Sequence, residues 1–235
     1  DKSIEAWPWL KYVNLAPTDG FTRIDERDAH WIRPEQGRGG RFSDYVWDYW
    51  LAMADELKRR HPDRYLRCNS YAPYALPPSQ VGKLPDNIAI CLALNTATSF
   101  LNQEANDRLR NQWASLLTSG KLFVYDYYLF YRPQSPRYPV FFTRHLQREM
   151  QALRDTGAFE GKFTEIWAVP GRSIACPALT HLLHYWQGRL YWDVDADRDA
   201  LLGEYYALYF GPARAEMREF HEFAEEVWMR PETRS

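Results

Sequence analysis

An α/β fold built on a parallel sheet is the class this sequence predicts, and three observations predict it. Short β-rich runs alternate with longer helical ones along most of the 235 residues, and such alternation implies parallel strands joined by right-handed crossovers. Asn87 to Leu94 (NIAICLAL) is almost continuously apolar, as a strand buried on both faces must be. No strand is followed by a glycine-rich phosphate loop of the GxGxxG or P-loop kind, which argues against a nucleotide-binding doubly wound sheet. About five βα units are counted against the eight of a closed barrel, so the expectation is the C-terminal portion of a (β/α)8 barrel. An open doubly wound sheet would accommodate the same five units. The partial barrel is expected over residues 1–192, with a C-terminal helical extension over residues 193–235. The first strand starts almost at the chain's beginning, so the chain is expected to be a fragment whose missing barrel half is supplied upstream or by another chain.

The elements follow in order. Lys11 to Leu15 (KYVNL) reads as a strand entering the turn-forming Ala16-Pro17-Thr18-Asp19-Gly20. Residues 21–41 are polar, Arg- and Gly-rich and without periodicity, and are expected to form a long loop. Ser43 reads as an N-cap for a helix whose broad apolar side runs from Tyr45 and Trp47 to Leu57 and ends near His61-Pro62. Tyr65 to Tyr71 is the second strand, with a proline-rich loop after it, and Asn87 to Leu94 is the third. A helix from about Asn102 to Ser119 is expected to stop at Gly120 as its C′ residue. Lys121 to Tyr128 (KLFVYDYY) is the fourth strand, Val140 to Thr156 a helix ended by Gly157, and Gly161 to Ala168 the fifth strand. Three helices complete the chain: Ala175 to Trp192, Ala196 to Phe210 and Pro212 to Trp228. The last two are punctuated by Gly211-Pro212.

Composition narrows the function classes. A net charge of −2 supplies no field for nucleic acid or an anionic membrane. The three cysteines, Cys68, Cys91 and Cys176, are too few and too widely spaced for a disulfide scaffold or a CxxC-type zinc site. No apolar run approaches the roughly 20 residues that span a bilayer. The unusual number is the aromatic content, 16% with 10 Trp and 16 Tyr. Aromatic faces suit cores, and they also suit the C–H faces of sugar rings.

In a parallel barrel the functional side chains sit at the C-terminal ends of the strands, and here each such end is polar or aromatic. Asp19 follows the first strand, Tyr71 ends the second and Asn95 follows the third. Asp126 and Tyr127 end the fourth; Glu165 and Trp167 end the fifth. Three carboxylates, Asp19, Asp126 and Glu165, ringed by aromatics are what glycoside hydrolysis needs, one protonating the leaving oxygen and another acting as base or nucleophile. The bland readings stand beside this one. Asp19 in PTDG suits a turn, Glu165 suits an ion pair with Arg172, and Tyr71, Tyr127 and Trp167 suit a core. His181 and His184, at i and i+3, read as packing or surface residues rather than metal ligands. No G-x-S-x-G elbow occurs. Neither a metal nor a cofactor is expected.

The segments VNLAPTDGF, YLRCNSYA, FLNQEANDRLRNQW and LFVYDYYLF, with the tail LYWDVDADRDALLGEYYALYFGPARAEM, resemble the DUF4838 family over Tyr12 to Trp228. That family is associated with carbohydrate degradation and is similar to α-glucuronidase and β-hexosaminidase type barrels. The resemblance implies that the first strand here is strand four, with Asp19 as a candidate acid, and that Asp126 and Glu165 follow strands seven and eight. The loop after Asp19 (FTRIDERDAHWIR) departs from the family by lacking a cysteine cluster, and it offers Asp25, Glu26 and Asp28 as alternative acids. The leading expectation is a glycoside hydrolase acting on an acidic or acetamido sugar in a polysaccharide. Tyr71, Tyr127 and Trp167 would be its stacking platforms, Asn95 a polar contact, and Arg23 or Arg41 a partner for a substrate carboxylate. A non-catalytic carbohydrate-binding barrel is the alternative, and a scaffold whose C-terminal helices dock a partner is the third. An extracytoplasmic setting, secreted or periplasmic, is expected over a cytoplasmic one.

Overall fold

The computed structural model describes residues 2–17, 21–94, 96, 100–129, 141–166 and 177–230. After a short helix α1 (Lys2–Ala6), five strands alternate with helices: β1 (Tyr12–Leu15), β2 (Tyr65–Ser70), β3 (Ile88–Leu94), β4 (Leu122–Leu129) and β5 (Phe159–Ile166). They form one parallel sheet in the order β1-β2-β3-β4-β5. The register pairs Tyr12 with Tyr65 and Leu15 with Cys68, then Leu66 with Ile88 and Ser70 with Leu92. The helices are α2 (Gly37–Gly40), α3 (Ser43–Arg60), α4 (Gln103–Leu116), α5 (Thr143–Asp155), α6 (Pro177–Trp192), α7 (Arg198–Phe210) and α8 (Arg214–Met229). The α/β class and the five expected strands are present. No helix of the described residues is long and apolar enough to cross a membrane.

The chain forms two compact units. The first comprises Asp1–Leu94, Glu104–Tyr125 and Thr156–Phe163, and the second Asn95–Gln103, Asp126–Asp155 and Thr164–Ser235.

In the first unit, β3 is buried almost throughout, as its apolar run requires, whereas β2 alternates, with Leu66, Cys68 and Ser70 buried and Tyr65, Arg67 and Asn69 half-buried. An aromatic core joins α3 to α4: the Trp47 ring lies 5.0 Å from Trp50 and 5.3 Å from Trp113, all three being fully enclosed. The Trp113 indole N–H donates to the Ala75 carbonyl at 2.9 Å, so the polar end of the ring is satisfied while its body is buried.

The sheet curves strongly. In a flat sheet β1 and β5 would lie about 19 Å apart at the ordinary spacing of about 4.8 Å, farther than one tyrosine and one glutamate can bridge. Yet the Tyr12 hydroxyl donates to Glu160 Oε1 at 2.7 Å, and the Tyr12 ring sits 5.0 Å from Phe123 on β4. Lys121 Nζ donates to the other Glu160 oxygen at 2.8 Å.

The second unit is held by apolar burial and by a polar knot. Leu146, Met150, Leu182, Leu183 and Trp186 are enclosed. Glu225 on α8, 2% exposed, accepts from the Arg144 backbone N–H at 2.8 Å and from the guanidinium groups of Arg144 and Arg198, both at 3.1 Å. The WDVDADRD segment has a structural role here. Gln147 Nε2 donates to the carbonyls of Val194 and Ala196, and Asp197 caps α7 by accepting from the Ala200 N–H at 3.1 Å. Gly211, at φ 54°, separates α7 from a 3₁₀ turn that carries Pro212 and leads into α8.

Several local expectations need correction. Ser43 does not cap α3: it is the first helical residue, Phe42 holds the cap without a side-chain bond, and the Ser43 hydroxyl donates to the Leu76 carbonyl at 2.6 Å. A tertiary partner has taken the hydroxyl that local capping would use. Residues 21–41 are not a plain loop, since they hold 3₁₀ turns at Glu26–Trp31 and Pro34–Gln36 and then α2. The helix expected to reach Ser119 ends at Leu116, because Thr118 and Ser119 turn their hydroxyls onto the carbonyls of Leu84 and Ile88 at 2.7 and 2.5 Å. Gly120, at φ 61°, therefore serves the turn into β4 rather than the helix end. The fifth strand begins two residues earlier than expected, since Leu122 already bonds to the Ala158 carbonyl at 2.8 Å.

Candidate functional site

A cleft of about 880 Å³ opens in the first unit beside the C-terminal ends of β1 and β2. Three segments wall it. Phe21 and Thr22 come from the stretch after β1, Tyr71 to Tyr74 directly follow β2, and the Gly37–Phe42 segment leads into α3. Phe21 packs edge-on to Phe42 at 5.5 Å and to Tyr74 at 6.2 Å, and Tyr71 meets Tyr74 at 6.3 Å, so the wall is a continuous aromatic set. The volume falls within the range of ordinary small-molecule clefts.

The backbone of these walls is tightly held. Phe42 N–H donates to the Pro73 carbonyl at 2.9 Å, and Leu76 N–H to the Gly39 carbonyl at 2.9 Å. Gly40 admits no side chain, because a Cβ there would come within 2.5 Å of Gln36 Oε1 and 3.0 Å of Leu76. Ala72 adopts φ 46°, a left-handed conformation that non-glycine residues hold at a cost and that collects at ligand sites. Behind the cleft, Asp44 on α3, 5% exposed, accepts from the Ser79 N–H and hydroxyl, both at 2.7 Å, and pairs with Arg33 Nε at 2.7 Å. This knot ties the glycine-arginine segment to α3 and to the proline-rich loop.

Of the residues singled out from sequence, Tyr71 and Arg41 line this cleft. Arg23 is exposed and lies one residue beyond the lining residue Thr22. Asp19, Asn95 and Trp167 lie outside the described residues, as do Arg172 and Cys176. Asp126 belongs to the second unit and is fully enclosed. Its carboxylate accepts from the Thr96 N–H at 2.9 Å, from the Thr96 hydroxyl and from the Tyr127 N–H at 2.8 Å. Those bonds engage both carboxylate oxygens. Tyr127 and Glu165 are half-buried and are not among the cleft's lining residues. Asp25, one of the alternative acids, caps the first 3₁₀ turn and pairs with Arg27 at 2.9 Å; that bond holds its carboxyl below the usual range. In the same turn Glu26 is exposed and Asp28 half-buried.

Phe21, Arg38, Phe42 and Tyr74 were missed in the sequence. The signal for Arg38 and Phe42 was the GRGGRF run, in which glycines admit a tight helical turn beside two arginines; Phe21 and Tyr74 lie outside it. His181 accounts for itself in packing, with Nδ1 2.9 Å from the Tyr205 hydroxyl and its ring stacked on Tyr209 at 5.1 Å. Among the described residues no three His, Cys, Asp or Glu side chains are grouped to hold a metal. Cys68 and Cys91 are buried free thiols. Burial pushes both thiols up, Cys91 to about 11, which leaves them unreactive.

No curated protein and no solved structure matches the chain. The family model of DUF4838, a domain of unknown function, matches residues 11–222, which takes in every strand and the cleft as well as most of the C-terminal helices. The chain belongs to the DUF4838 family.

Proposed function

We propose that this chain is the C-terminal part of a carbohydrate-active barrel and recognises a saccharide in the cleft beside β1 and β2. The observation that carries the reading is the aromatic wall of Phe21, Phe42, Tyr71 and Tyr74 on a cleft of about 880 Å³. Phe21 and Tyr71, half-buried and held by edge contacts to the enclosed Phe42 and Tyr74, present apolar ring surface at little entropic cost, which suits the C–H faces of a sugar. The barrel part rests on strand order and curvature. A doubly wound sheet reverses its strand order at a switch point, whereas the order here runs from β1 to β5 without reversal. The Tyr12–Glu160 bond requires the sheet to bend back on itself. Closure takes about three further strands, from preceding sequence or from another chain.

Titration calorimetry with a panel of plant and microbial oligosaccharides tests the reading. At least one is expected to bind, and Tyr71→Ala is expected to weaken it by about tenfold, the loss of one stacked ring. A panel without a binder, or a Tyr71→Ala variant with unchanged affinity, overturns the proposal.

Hydrolysis of the bound saccharide is the second reading, favoured by the opening of the cleft at strand C-terminal ends, where barrel enzymes carry their chemistry. Asp19, four residues past the end of β1, is the proposed acid. Asp126 or Glu165 is the proposed base, Asp126 being the more enclosed of the two. Asp19→Asn is expected to abolish release of reducing ends while leaving binding intact; full activity in that variant removes Asp19 from the assignment. A docking role for the C-terminal helices stands third, resting on the exposed Leu208, Tyr209 and Phe223.

A further inference from the structure

Of the five arginines in residues 21–45, Arg23 is exposed and does not line the cleft, and the other four fall into two sets. Arg27 and Arg33 are neutralised by carboxylates, Asp25 at 2.9 Å and Asp44 at 2.7 Å. Arg38 and Arg41 line the cleft, are exposed, and have no carboxylate partner among the described residues. They sit at either end of the Gly39-Gly40 pair on the short helical turn, and Arg41 lies against the Phe42 ring at 5.3 Å. The described residues that line the cleft include no Asp or Glu. On a chain whose net charge is −2, two guanidinium groups without a carboxylate partner among the described residues thus line a cleft with an aromatic wall.

Guanidinium forks bind planar oxyanions in two parallel hydrogen bonds. A neutral sugar would leave both charges without a counter-charge. We infer that Arg38 and Arg41 select an anionic saccharide, one whose ring packs on the aromatic wall while its carboxylate or sulfate ester meets the guanidinium pair. This rests on the saccharide reading above and chooses the acidic sugar over the acetamido one. Arg38 takes the role expected of Arg23, which does not line the cleft.

The test is calorimetric titration of the whole chain with trigalacturonate, its fully methyl-esterified neutral counterpart, a sulfated neutral trisaccharide and N-acetylated chitotriose. At least one anionic probe is expected to bind about tenfold or more tighter than the two neutral ones, as a charge-assisted pair supplies. Its advantage should shrink as salt rises from 50 to about 500 mM, because exposed charges are screened over that range. Arg38→Gln and Arg41→Gln should each remove most of the advantage without changing the melting temperature, and Arg23→Gln should keep it. Whichever of the carboxylate and sulfate probes binds identifies the anion. Equal binding of anionic and neutral probes overturns the inference and leaves the saccharide reading standing. Binding by none of the four overturns the inference. The saccharide reading falls with it only if the wider oligosaccharide panel is also silent.

Discussion

The Tyr12 hydroxyl donates to Glu160 Oε1 at 2.7 Å, joining the first strand of the sheet to the fifth. Lys121 holds the second oxygen of the same carboxylate. Lys121 first, and Tyr12 after it, keep the Glu160 carboxyl below the usual range, while burial and the bond to Glu160 push the Tyr12 hydroxyl up. The curvature of this sheet is thereby fastened by one hydrogen-bonded triad.

Tyr12→Phe is expected to lower stability by about 1 kcal/mol, the net worth of a half-exposed hydrogen bond to a charged group. Urea unfolding of Tyr12→Phe, Glu160→Gln and the double variant measures it. The two single effects should fail to add; simple additivity would mean that the bond contributes nothing.

Burial lowers the basicity of His221, which is fully enclosed between Phe141, Tyr206 and Phe210 and donates from Nδ1 to the Met217 carbonyl. Its folded-state value lies below the unfolded value of about 6.5, so the unfolded chain binds more protons between the two. Stability is therefore complete above about pH 6.5 and is lost as pH falls through that window. His184 is shifted the same way by burial, with His181 adding to it. Urea midpoints from pH 7.5 down to 5 should fall for the wild type. They should fall less for His184→Gln, and a midpoint flat with pH would contradict the assignment.

Asp126 engages both of its carboxylate oxygens, so its loss should cost stability. Asp126→Ala leaves the buried N–H of Thr96 without this acceptor and is expected to destabilise by about 1–3 kcal/mol, with saccharide affinity changed by less than about twofold. If affinity or turnover falls sharply while the melting temperature holds, Asp126 serves the site rather than the fold.

Asp44→Ala strips a nearly buried carboxylate from Arg33 and Ser79. A loss of about 3 kcal/mol is expected, as for breaking an enclosed ion pair from one side. The glycine-arginine segment should loosen with it, which amide exchange at Gly39 and Gly40 would report as faster. Unchanged exchange would mean that the segment is held by its backbone bonds alone.

The fold was legible where burial imposes a period. The uninterrupted NIAICLAL run became the buried β3, and the half-buried YLRCNS became the alternating β2. It was illegible where a side chain found a distant partner, as Ser43 found Leu76 and Thr118 found Leu84; nothing local marks such bonds. The site was legible in part. Tyr71 and Arg41 were reachable from the rule that strand ends carry function, but Arg38, Phe42 and Phe21 lie in a stretch without periodicity. Its helical turn depends on glycine at a close approach rather than on an apolar stripe.

The most direct measurement is an amide shift map of the chain during titration with an oligosaccharide that it binds. Perturbations are expected to concentrate at Phe21 and Thr22, at Gly37 to Phe42 and at Tyr71 to Tyr74, saturating together with one affinity. Perturbations centred on the C-terminal helices, with the cleft residues unmoved, would contradict saccharide recognition in this cleft.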